Sequence, residues 1–422
     1  MQVDGSTSLS PCRKLPAAER ASPRSGISRA WLCKALGALL ALAVVAGCAS
    51  PPHPRHHPMP PIARRTDPEG APRPIGATAS LDLSAMSDLE TLIPTLAQSR
   101  VVLVGETHDR LDHHLVQLEI IRGLHAIHPE LAIGMEAFQQ PFQRHLDDYV
   151  AGELGERELL RRTEYHRRWG YDFRLYQPIL DYAREHRLPV VALNLPVELT
   201  RRVGERGIEG LSEEERAAIP GEIDRSDSAY QKRLEEIFEQ HPQREGRGFD
   251  RFLEVQLSWD EGMAECAARF LESHPQHKMV ILAGSGHLAY GSGIPRRVVR
   301  RIQVDTATLL SGWEGDLEPG LADYLLFPQE RELPAAGRIG AMLGEDRGSL
   351  EIVSCASGSG CEKAGLEAGD RILSVEGQPV ASISDLKGVL WDRSPGDRIQ
   401  VEIRRRRWLS GARRLTLEVA LQ

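Results

Sequence analysis

Two apolar runs that lie far apart in the chain end in the same way. Residues 101–104 read Val-Val-Leu-Val and precede a Gly-Glu-Thr-His turn that ends at His108. Residues 279–283 read Met-Val-Ile-Leu-Ala and precede a Gly-Ser-Gly-His turn that ends at His287. A short apolar run closed by a glycine-bearing turn is typical of a buried parallel strand. We therefore expect the two histidines to belong to one site.

The same pattern of short apolar runs continues between residues 81 and 330, where stretches with helical periodicity separate the runs. Alternating strands and helices are typical of an α/β fold built on a parallel sheet. Residues 211–250 are charged and helix-prone, which predicts a helical insertion or lid. We predict a mostly parallel sheet flanked by helices, with this insertion. The predicted strands are 101–104, 131–135, 189–193, 279–283 and 301–307.

The first 47 residues have the features of a signal peptide. Basic residues precede an apolar core at 35–44, which is too short for a membrane-spanning helix. The segment ends in Val45-Ala46-Gly47-Cys48, which resembles a bacterial lipobox. That resemblance implies a lipid on Cys48 and, because Ala49 follows, a lipoprotein of the outer membrane in the bacterial cell envelope. A cleaved secretory signal, or an anchor helix with a chance cysteine, is the alternative.

Residues 48–80 include a Pro-rich stretch at 51–61, which favours an extended tether over a packed core. The histidines within it fit a solvated linker better than a metal or haem site. Residues 1–47 carry six Lys+Arg and two Asp+Glu, so removing this balance of +4 takes the net charge from −8 to −12. A chain this acidic is a poor partner for nucleic acid.

Three cysteines follow Cys48 in the chain. Cys355 and Cys361 are six positions apart and could close a small disulfide loop in an oxidising periplasm, although spacing alone does not give connectivity. Cys266 lies in a predicted helix, where it is most simply a core residue.

A second unit is predicted at residues 331–422, after a stretch in which three prolines interrupt the periodicity. Residues 364–370 predict a short helix, a glycine turn and the start of a strand, and Glu376-Gly377 predicts a tight hairpin. This order resembles the circularly permuted PDZ domain of HtrA-like proteases; a generic small β domain is the alternative. The resemblance implies that a small β/α domain binds a peptide C-terminus beside its first strand. The corresponding residues are Ile339, Gly340, Ala341, Met342 and Leu343.

Polar side chains occur where the predicted strands of the first unit end, and Asp260 follows in a helix. The strand-end residues are Glu106, His108, Glu136, Asn194 and His287. Open α/β sheets bind their ligands at the carboxyl ends of the strands. Carboxylates and imidazoles at that edge can hold a divalent metal or form a general acid/base pair. A single histidine is more often structural, but recurrence at several strand ends favours a functional site.

An ordered set of motifs between residues 90 and 310 closely resembles the ChaN family, whose members are iron-regulated lipoproteins of haem uptake. The family is related to the erythromycin esterases and the Tiki metalloproteases. The motifs are Gly105-Glu106-Thr107-His108-Asp109, His114-x-x-Gln117, Gly134-Met135-Glu136, Tyr176-Gln177-Pro178-Ile179, Asn194-Leu195-Pro196, Gln256-x-x-Trp259-Asp260-x-x-Met263-Ala264, Gly284-Ser285-Gly286-His287 and Gly291-Ser292-Gly293-Ile294-Pro295.

The resemblance implies haem binding, with a tyrosine as iron ligand and a possible homodimer around stacked haem groups. The phenolate candidates are Tyr165, Tyr171 and Tyr176. Arg167 and Arg168 lie among them and are able to pair with haem propionates. A helix that packs its aromatic residues on one side is an equally good interpretation of this segment.

The hydrolytic relatives imply a different use of the strand ends. Glu106, His108, Glu136 and His287 would bind a divalent metal or activate water, and Asn194 and Asp260 would orient them. The leading hypothesis is a haem- or iron-binding lipoprotein for haem uptake, with a PDZ-like domain for peptides or proteins. A metal-dependent hydrolase or peptidase is the first alternative. A non-catalytic envelope scaffold is the second.

Overall fold

The computed structural model describes residues 83–422, except 241–247, 314, 316, 347 and 408–410. The predicted signal peptide at 1–47, the lipid site at Cys48 and the tether at 48–80 lie outside the described residues. Among the described helices, none combines the length and apolar character needed to cross a bilayer.

The first sheet has six strands, and every neighbouring pair in it is parallel. The strands are β1 (Val101–Glu106), β2 (Leu131–Gln139), β3 (Val190–Asn194), β4 (Lys278–Gly284), β5 (Thr306–Ser311) and β6 (Tyr324–Leu326). Their order is β3-β2-β4-β1-β5-β6, which places β1 beside β4. The two strands that end in the matching turns are therefore neighbours, and the predicted parallel α/β sheet is confirmed.

Helices cover both faces of this sheet, because alternate residues of a strand point to opposite faces. One core joins Val102 and Val104 to the helices before β3, and the other joins Val101 and Leu103 to two helices after β3. The helices are α1 (Leu89–Leu96), α2 (Leu111–Ile127), α3 (Gln143–Val150), α4 (Glu156–Arg162), α5 (Tyr165–Arg168), α6 (Gln177–His186), α7 (Val197–Arg206), α8 (Glu213–Ala217), α9 (Ser228–Gln240), α10 (Phe249–Ser273) and α11 (Ile294–Ile302).

The strand predicted at 301–307 is wrong in its bounds. Helix α11 extends through Ile302, Gln303 ends it in the left-handed conformation, and β5 begins only at Thr306. Pro295 in the first turn favours this helix, since proline is well placed where a helix begins. Arg296 and Arg300 are exposed on its polar side, whereas Ile294 and Val298 are buried. Arg297 is also buried, where it pairs with Glu261.

The C-terminal unit is an antiparallel sheet with two helices. Its sheet order is β12-β11-β9-β8-β7, and β10 pairs with β9. The elements are β7 (Ala341–Asp346), β8 (Ser349–Cys355), α12 (Gly360–Lys363), β9 (Arg371–Val375), β10 (Gln378–Pro379), α13 (Ile383–Leu390), β11 (Arg398–Arg407) and β12 (Gly411–Ala420). A disulfide joins Cys355 to Cys361, with their Cα atoms 5.5 Å apart, and links the end of β8 to α12.

The two units pack together through α13, which contacts α4 and α5. Trp391, directly after α13, meets the Phe173 ring edge-on with centroids 5.4 Å apart. Asp392 lies 3.6 Å from the Arg157 guanidinium. A Cβ on Gly388 would lie 3.8 Å from the His166 ring, so the helix approaches α5 closely. The C-terminal unit therefore rests on the aromatic segment that the sequence connects with haem.

We predict that Trp391→Ala lowers the free energy of unfolding by about 1 to 3 kcal/mol, because it removes a large, partly buried aromatic contact between the units. Urea denaturation followed by circular dichroism measures this change. Phe327→Ala is the control, since Phe327 is 65% exposed. Equal effects of the two substitutions would contradict the packing described here.

Candidate functional site

The Glu106 carboxylate, at the end of β1, is buried and receives hydrogen bonds from three side chains. His108 Nδ1 lies 2.8 Å from Oε1, and the Tyr176 hydroxyl donates to the same oxygen at 2.7 Å. Gln117 Nε2, from α2, donates to Oε2 at 2.7 Å. The second imidazole nearby, that of His114, has Nδ1 3.3 Å from Oε2. Each carboxylate oxygen is thus held by protein groups.

These contacts decide the charge of Glu106. Burial by itself raises the pKa of this carboxyl, but His114, His108 and the Tyr176 hydroxyl outweigh burial and lower the pKa to about 2. Glu106 is consequently ionised at neutral pH. An ionised carboxylate at Nδ1 fixes the orientation of the His108 ring and favours its protonated form.

A second carboxylate–imidazole pair lies at the end of β4. His287 Nδ1 is 2.6 Å from Asp260 Oδ1, and its Nε2 is 3.5 Å from Glu136 Oε1. Tyr230, from the helical insertion, donates its hydroxyl to the other Asp260 oxygen. Burial lowers the pKa of His287, but Glu136 and Asp260 more than offset it and raise the pKa to about 9. His287 is therefore an imidazolium between two carboxylates at neutral pH.

The two pairs meet at Gly284. Its backbone N–H donates to Glu136 Oε2 at 2.8 Å. A Cβ at this position would lie 3.0 Å from His108 Cε1 and 3.7 Å from Glu136 Oε2, so a side chain there would crowd the His108 ring and touch Glu136. Burial opposes protonation of His108, but its bond to Glu106 and the charge of Glu136 raise its pKa. The structure places both strand-end histidines in one pocket.

Asn194, at the end of β3, contributes through Glu136. Its Nδ2 donates to the Glu136 backbone carbonyl at 3.1 Å, and its Oδ1 is buried without a hydrogen-bond partner among the described residues. The register between β2 and β3 shifts between Met135 and Gln139, so Glu136 lies in an irregular stretch of the strand. Such irregularities commonly redirect a side chain next to a functional site.

The predicted metal ligands do not converge on one point. Among the described residues, no group of three His, Cys, Asp or Glu side chains is arranged to hold a metal ion. Glu106 faces His108, and Glu136 faces His287, with both histidine pKa values raised. Metal ligation needs a neutral imidazole, so a raised histidine pKa opposes it. The side chains as arranged do not fit a divalent metal.

The three candidate tyrosines occupy different environments. Tyr165 and Tyr176 are each 1% exposed, and burial raises both pKa values well above 10. Tyr165 packs against Phe138 and Phe173, whereas Tyr176 donates to Glu106. A ligand outside the protein cannot reach either hydroxyl in this arrangement. These two belong to the packed interior, although the segment forms α5 and a 3₁₀ turn at Phe173–Leu175 rather than one helix.

Tyr171 differs because it is only half-buried. Its ring centroid lies 5.0 Å from that of His108 and 5.6 Å from that of Trp169. Burial raises its pKa, and Asp109, Glu136 and Glu106 add to that shift. Tyr171 is thus the one candidate of the three at the margin of the pocket.

The two candidate arginines are engaged in ion pairs at the surface. Arg167 is exposed and contacts Glu164 alone among the described residues. Arg168 contacts Glu164 and Glu198, and also donates to Gln139 Oε1 at 2.8 Å. An exposed ion pair contributes little stability, so Arg167 can exchange its partner more readily than Arg168.

Three residues of the pocket were not among the site residues predicted from the sequence. His114 and Gln117 appeared only inside a motif, although their spacing on one face of α2 indicates that they act together. Tyr230 carried no signal, because it lies in the insertion and reaches Asp260 only through tertiary folding. The contact explains how the insertion joins the pocket.

The predicted peptide-binding residues lie at the start of β7, an edge strand whose partner among the described strands is β8. Met342 is 62% exposed, while Ala341 and Leu343 are partly buried. Ile339 is buried in the core and its carbonyl accepts from the Cys361 N–H at 2.9 Å. Gly340 has φ 78° and its Cβ would lie 2.5 Å from the Ser359 Cβ, so only glycine fits there.

Two known families match the chain, one in each of its two structural units. The family described as haem-binding uptake, Tiki superfamily, ChaN matches residues 92–298, and the PDZ domain family matches residues 337–421. The chain contains a ChaN-family domain followed by a PDZ domain. The first domain holds both carboxylate–imidazole pairs.

The individual proteins that match the chain are distant from it in sequence. The chain is 27% identical over 231 residues to the chloroplastic protein RETICULATA-RELATED 5 of Arabidopsis thaliana; this match covers 49% of the chain and only 30% of the plant protein. The solved structure of ChaN of Campylobacter jejuni with cofacial haem is 20% identical, with a TM-score of 0.47, over 58% of this chain and 92% of that one. The PDZ domain of HtrA3 with a phage-derived ligand is 20% identical, with a TM-score of 0.18, over 20% of this chain and 86% of that one.

We predict that His287 makes the stability of the ChaN-family domain depend on alkaline pH. Its pKa is 6.5 in a model compound and about 9 in the fold, so its contribution is complete below 6.5 and is lost as pH rises through 9. The loss should be on the order of 1 to 3 kcal/mol. Urea denaturation at a series of pH values measures it.

His287→Gln should flatten this pH dependence. The exposed His186 provides the control, and His186→Gln should leave the dependence unchanged. A wild-type stability that is constant or rises across this interval would contradict an imidazolium held by Asp260 and Glu136.

Proposed function

We propose that this protein binds haem and serves haem uptake, with the ChaN-family domain as the binding unit. The first support is the family match over residues 92–298, since the family is described as haem-binding. The second is the margin of the pocket, where a phenol, an imidazole and an indole lie together. Haem iron accepts tyrosine or histidine as axial ligand, and the porphyrin face requires flat apolar contacts.

Tyr171 is the observation that carries this proposal. It is half-buried, and it adjoins both His108 and Trp169. In this account Tyr171 ligates the iron, Trp169 packs against the porphyrin, and Arg167 leaves Glu164 to pair with a propionate. The raised pKa of Tyr171 keeps the phenol protonated before haem arrives, so iron has to displace a proton.

The other parts of the uptake role are supported by sequence. We propose that Cys48 carries the lipid that anchors the protein in the outer membrane. Residues 48–80 would then act as a tether between this lipid and the first domain. A homodimer around two haem groups, which the family resemblance implies, stays a prediction.

The PDZ domain extends the proposal to a peptide or protein partner. The outer edge of β7 pairs with no other described strand, which leaves its backbone groups available to an added strand. Exposed Met342 lies on this edge. We propose that a peptide C-terminus binds beside residues 339–343, so that the domain recruits a partner to the haem site.

We predict that hemin titration of the purified chain produces a Soret band and that Tyr171→Phe weakens binding by at least about tenfold, or about 1.4 kcal/mol, through loss of the axial ligand. Tyr182→Phe is the matched control, because Tyr182 lies on α6 and hydrogen-bonds to His125 instead. Tyr165→Phe should also leave the spectrum unchanged. An unaltered affinity in Tyr171→Phe would exclude this tyrosine as ligand.

A hydrolytic function is the second candidate, and the two carboxylate–imidazole pairs in one pocket favour it. Such a pair is the arrangement in which a carboxylate orients a histidine for proton transfer. The pKa of His287 is about 9, so His287 is not well placed as a base at neutral pH, and the pKa of His108 is shifted in the same direction. Hydrolysis with His287 as the base would therefore require a higher pH.

For this candidate we predict that hydrolysis of a p-nitrophenyl ester increases as pH rises through about 9, the pKa of His287. His287→Gln should lower the alkaline rate by about a hundredfold, which is the contribution typical of general base catalysis. Elemental analysis of the same sample should find no stoichiometric divalent metal. A flat pH profile at the uncatalysed rate rules out this function, and if hemin also fails to bind, the scaffold alternative remains.

A further inference from the structure

The hairpin of β11 and β12 in the PDZ domain carries an unusual set of cations near its tip. Arg404 is opposite Arg414 in the register of the two strands, and Arg405 is opposite Arg413. Like charges in directly opposed positions destabilise a strand pair. Two successive arginine pairs therefore oppose hairpin formation, unless something outside the hairpin compensates for their charge.

The protein itself compensates for only part of this charge. Arg405 contacts Asp370 and Glu367, and Arg414 Nη1 lies 3.3 Å from Glu402 in an exposed pair. Three further arginines near this end of the hairpin form no ion pair or side-chain hydrogen bond with any described residue. They are Arg404, Arg406 and Arg413, which we call the arginine ladder.

The ladder is accessible from outside. Arg406 and Arg413 are exposed, and Arg404 is half-buried with its Nε buried and without a partner. Because side chains alternate along a strand, Arg404 and Arg406 project to one side of the hairpin and Arg413 to the other. At the ladder the hairpin is therefore positive on both sides, although the whole chain has a net charge of −8.

We propose that the arginine ladder is a docking surface for an anionic phospholipid bilayer. From Arg404 to Arg406 the strand rises about 7 Å, at about 3.4 Å per residue. The headgroup layer on each side of a bilayer is about 5 to 7 Å thick, so the span of the ladder matches one layer of lipid phosphates. Basic residues at such a surface attract it electrostatically, and arginine pairs with phosphate in two parallel hydrogen bonds.

A bilayer fits these observations better than a nucleic acid does. A duplex would lie along the protein over many phosphates, where the acidic remainder of the chain would repel it. A bilayer need contact only the arginine ladder. The inference is independent of haem binding, and it gives the C-terminal domain a membrane contact separate from the lipid predicted at Cys48.

The test is sedimentation of the full chain with phosphatidylcholine vesicles, with and without phosphatidylglycerol. The quantity compared is the increase in binding that phosphatidylglycerol causes, so that any contribution of the N-terminal segment is common to all samples. Replacement of the ladder by glutamine (R404Q, R406Q and R413Q together) should lower this binding by about a hundredfold, from three basic residues lost at the surface. Added salt should also lower the binding of the wild-type protein, because it screens the exposed charges.

The matched control is R338Q, K363Q and R398Q together, which removes the same charge from other exposed positions of the same domain. It should retain the phosphatidylglycerol-dependent binding. Both triple variants should unfold at the wild-type temperature or, for the ladder variant, above it, since a repulsion is removed. Equal loss in the control, no loss in the ladder variant, or tighter binding to double-stranded DNA than to the anionic vesicles at the same salt would overturn the proposal.

Discussion

The buried carboxylate of Glu106 is the constraint on which the pocket depends. It ends β1, and it accepts hydrogen bonds from Gln117 of α2 and from Tyr176 beside α6. Since a buried charge is costly unless it is paired and hydrogen-bonded, the surrounding groups must stay in place for Glu106 to remain ionised. Its charge then orients His108. Strand, helix and histidine are thereby fixed relative to one another.

The PDZ domain is part of the same packed structure. Glu345 of β7 accepts a hydrogen bond from the Ile383 backbone N–H at the start of α13. The other end of α13 leads to Trp391, which packs on Phe173. Phe173 in turn contacts Tyr165, beside the residues that line the pocket. Contacts thus run without interruption from the edge strand proposed for peptides to the site proposed for haem.

The sequence predicts this pocket well where one rule of folding governs it. Parallel strands deliver their ends to one edge of a sheet, and so His108, Glu136 and His287 could be placed together from strand order alone. Their pairing could not be predicted, because whether two side chains form a hydrogen bond depends on differences in distance of a few tenths of an ångström. Tyr230 was missed for a related reason, since nothing local indicates that the insertion folds back onto Asp260.

Burial was the other property that sequence left open. Tyr165, Tyr171 and Tyr176 lie within one short aromatic segment, yet only Tyr171 retains access to the outside. Tyr165 is buried by its packing against Phe138 and Phe173, and Tyr176 is held inside by the hydrogen bond that it donates to Glu106. The interface with α13 was likewise invisible, because it joins segments of two domains that share no local pattern.

A crystal structure of the chain with bound hemin tests the central claim most directly. The account predicts haem at the carboxyl edge of the first sheet, with iron bonded to the Tyr171 phenolate oxygen and the porphyrin against Trp169. Haem bound elsewhere, with iron bonded to Tyr182 or to a histidine of the tether, would contradict it.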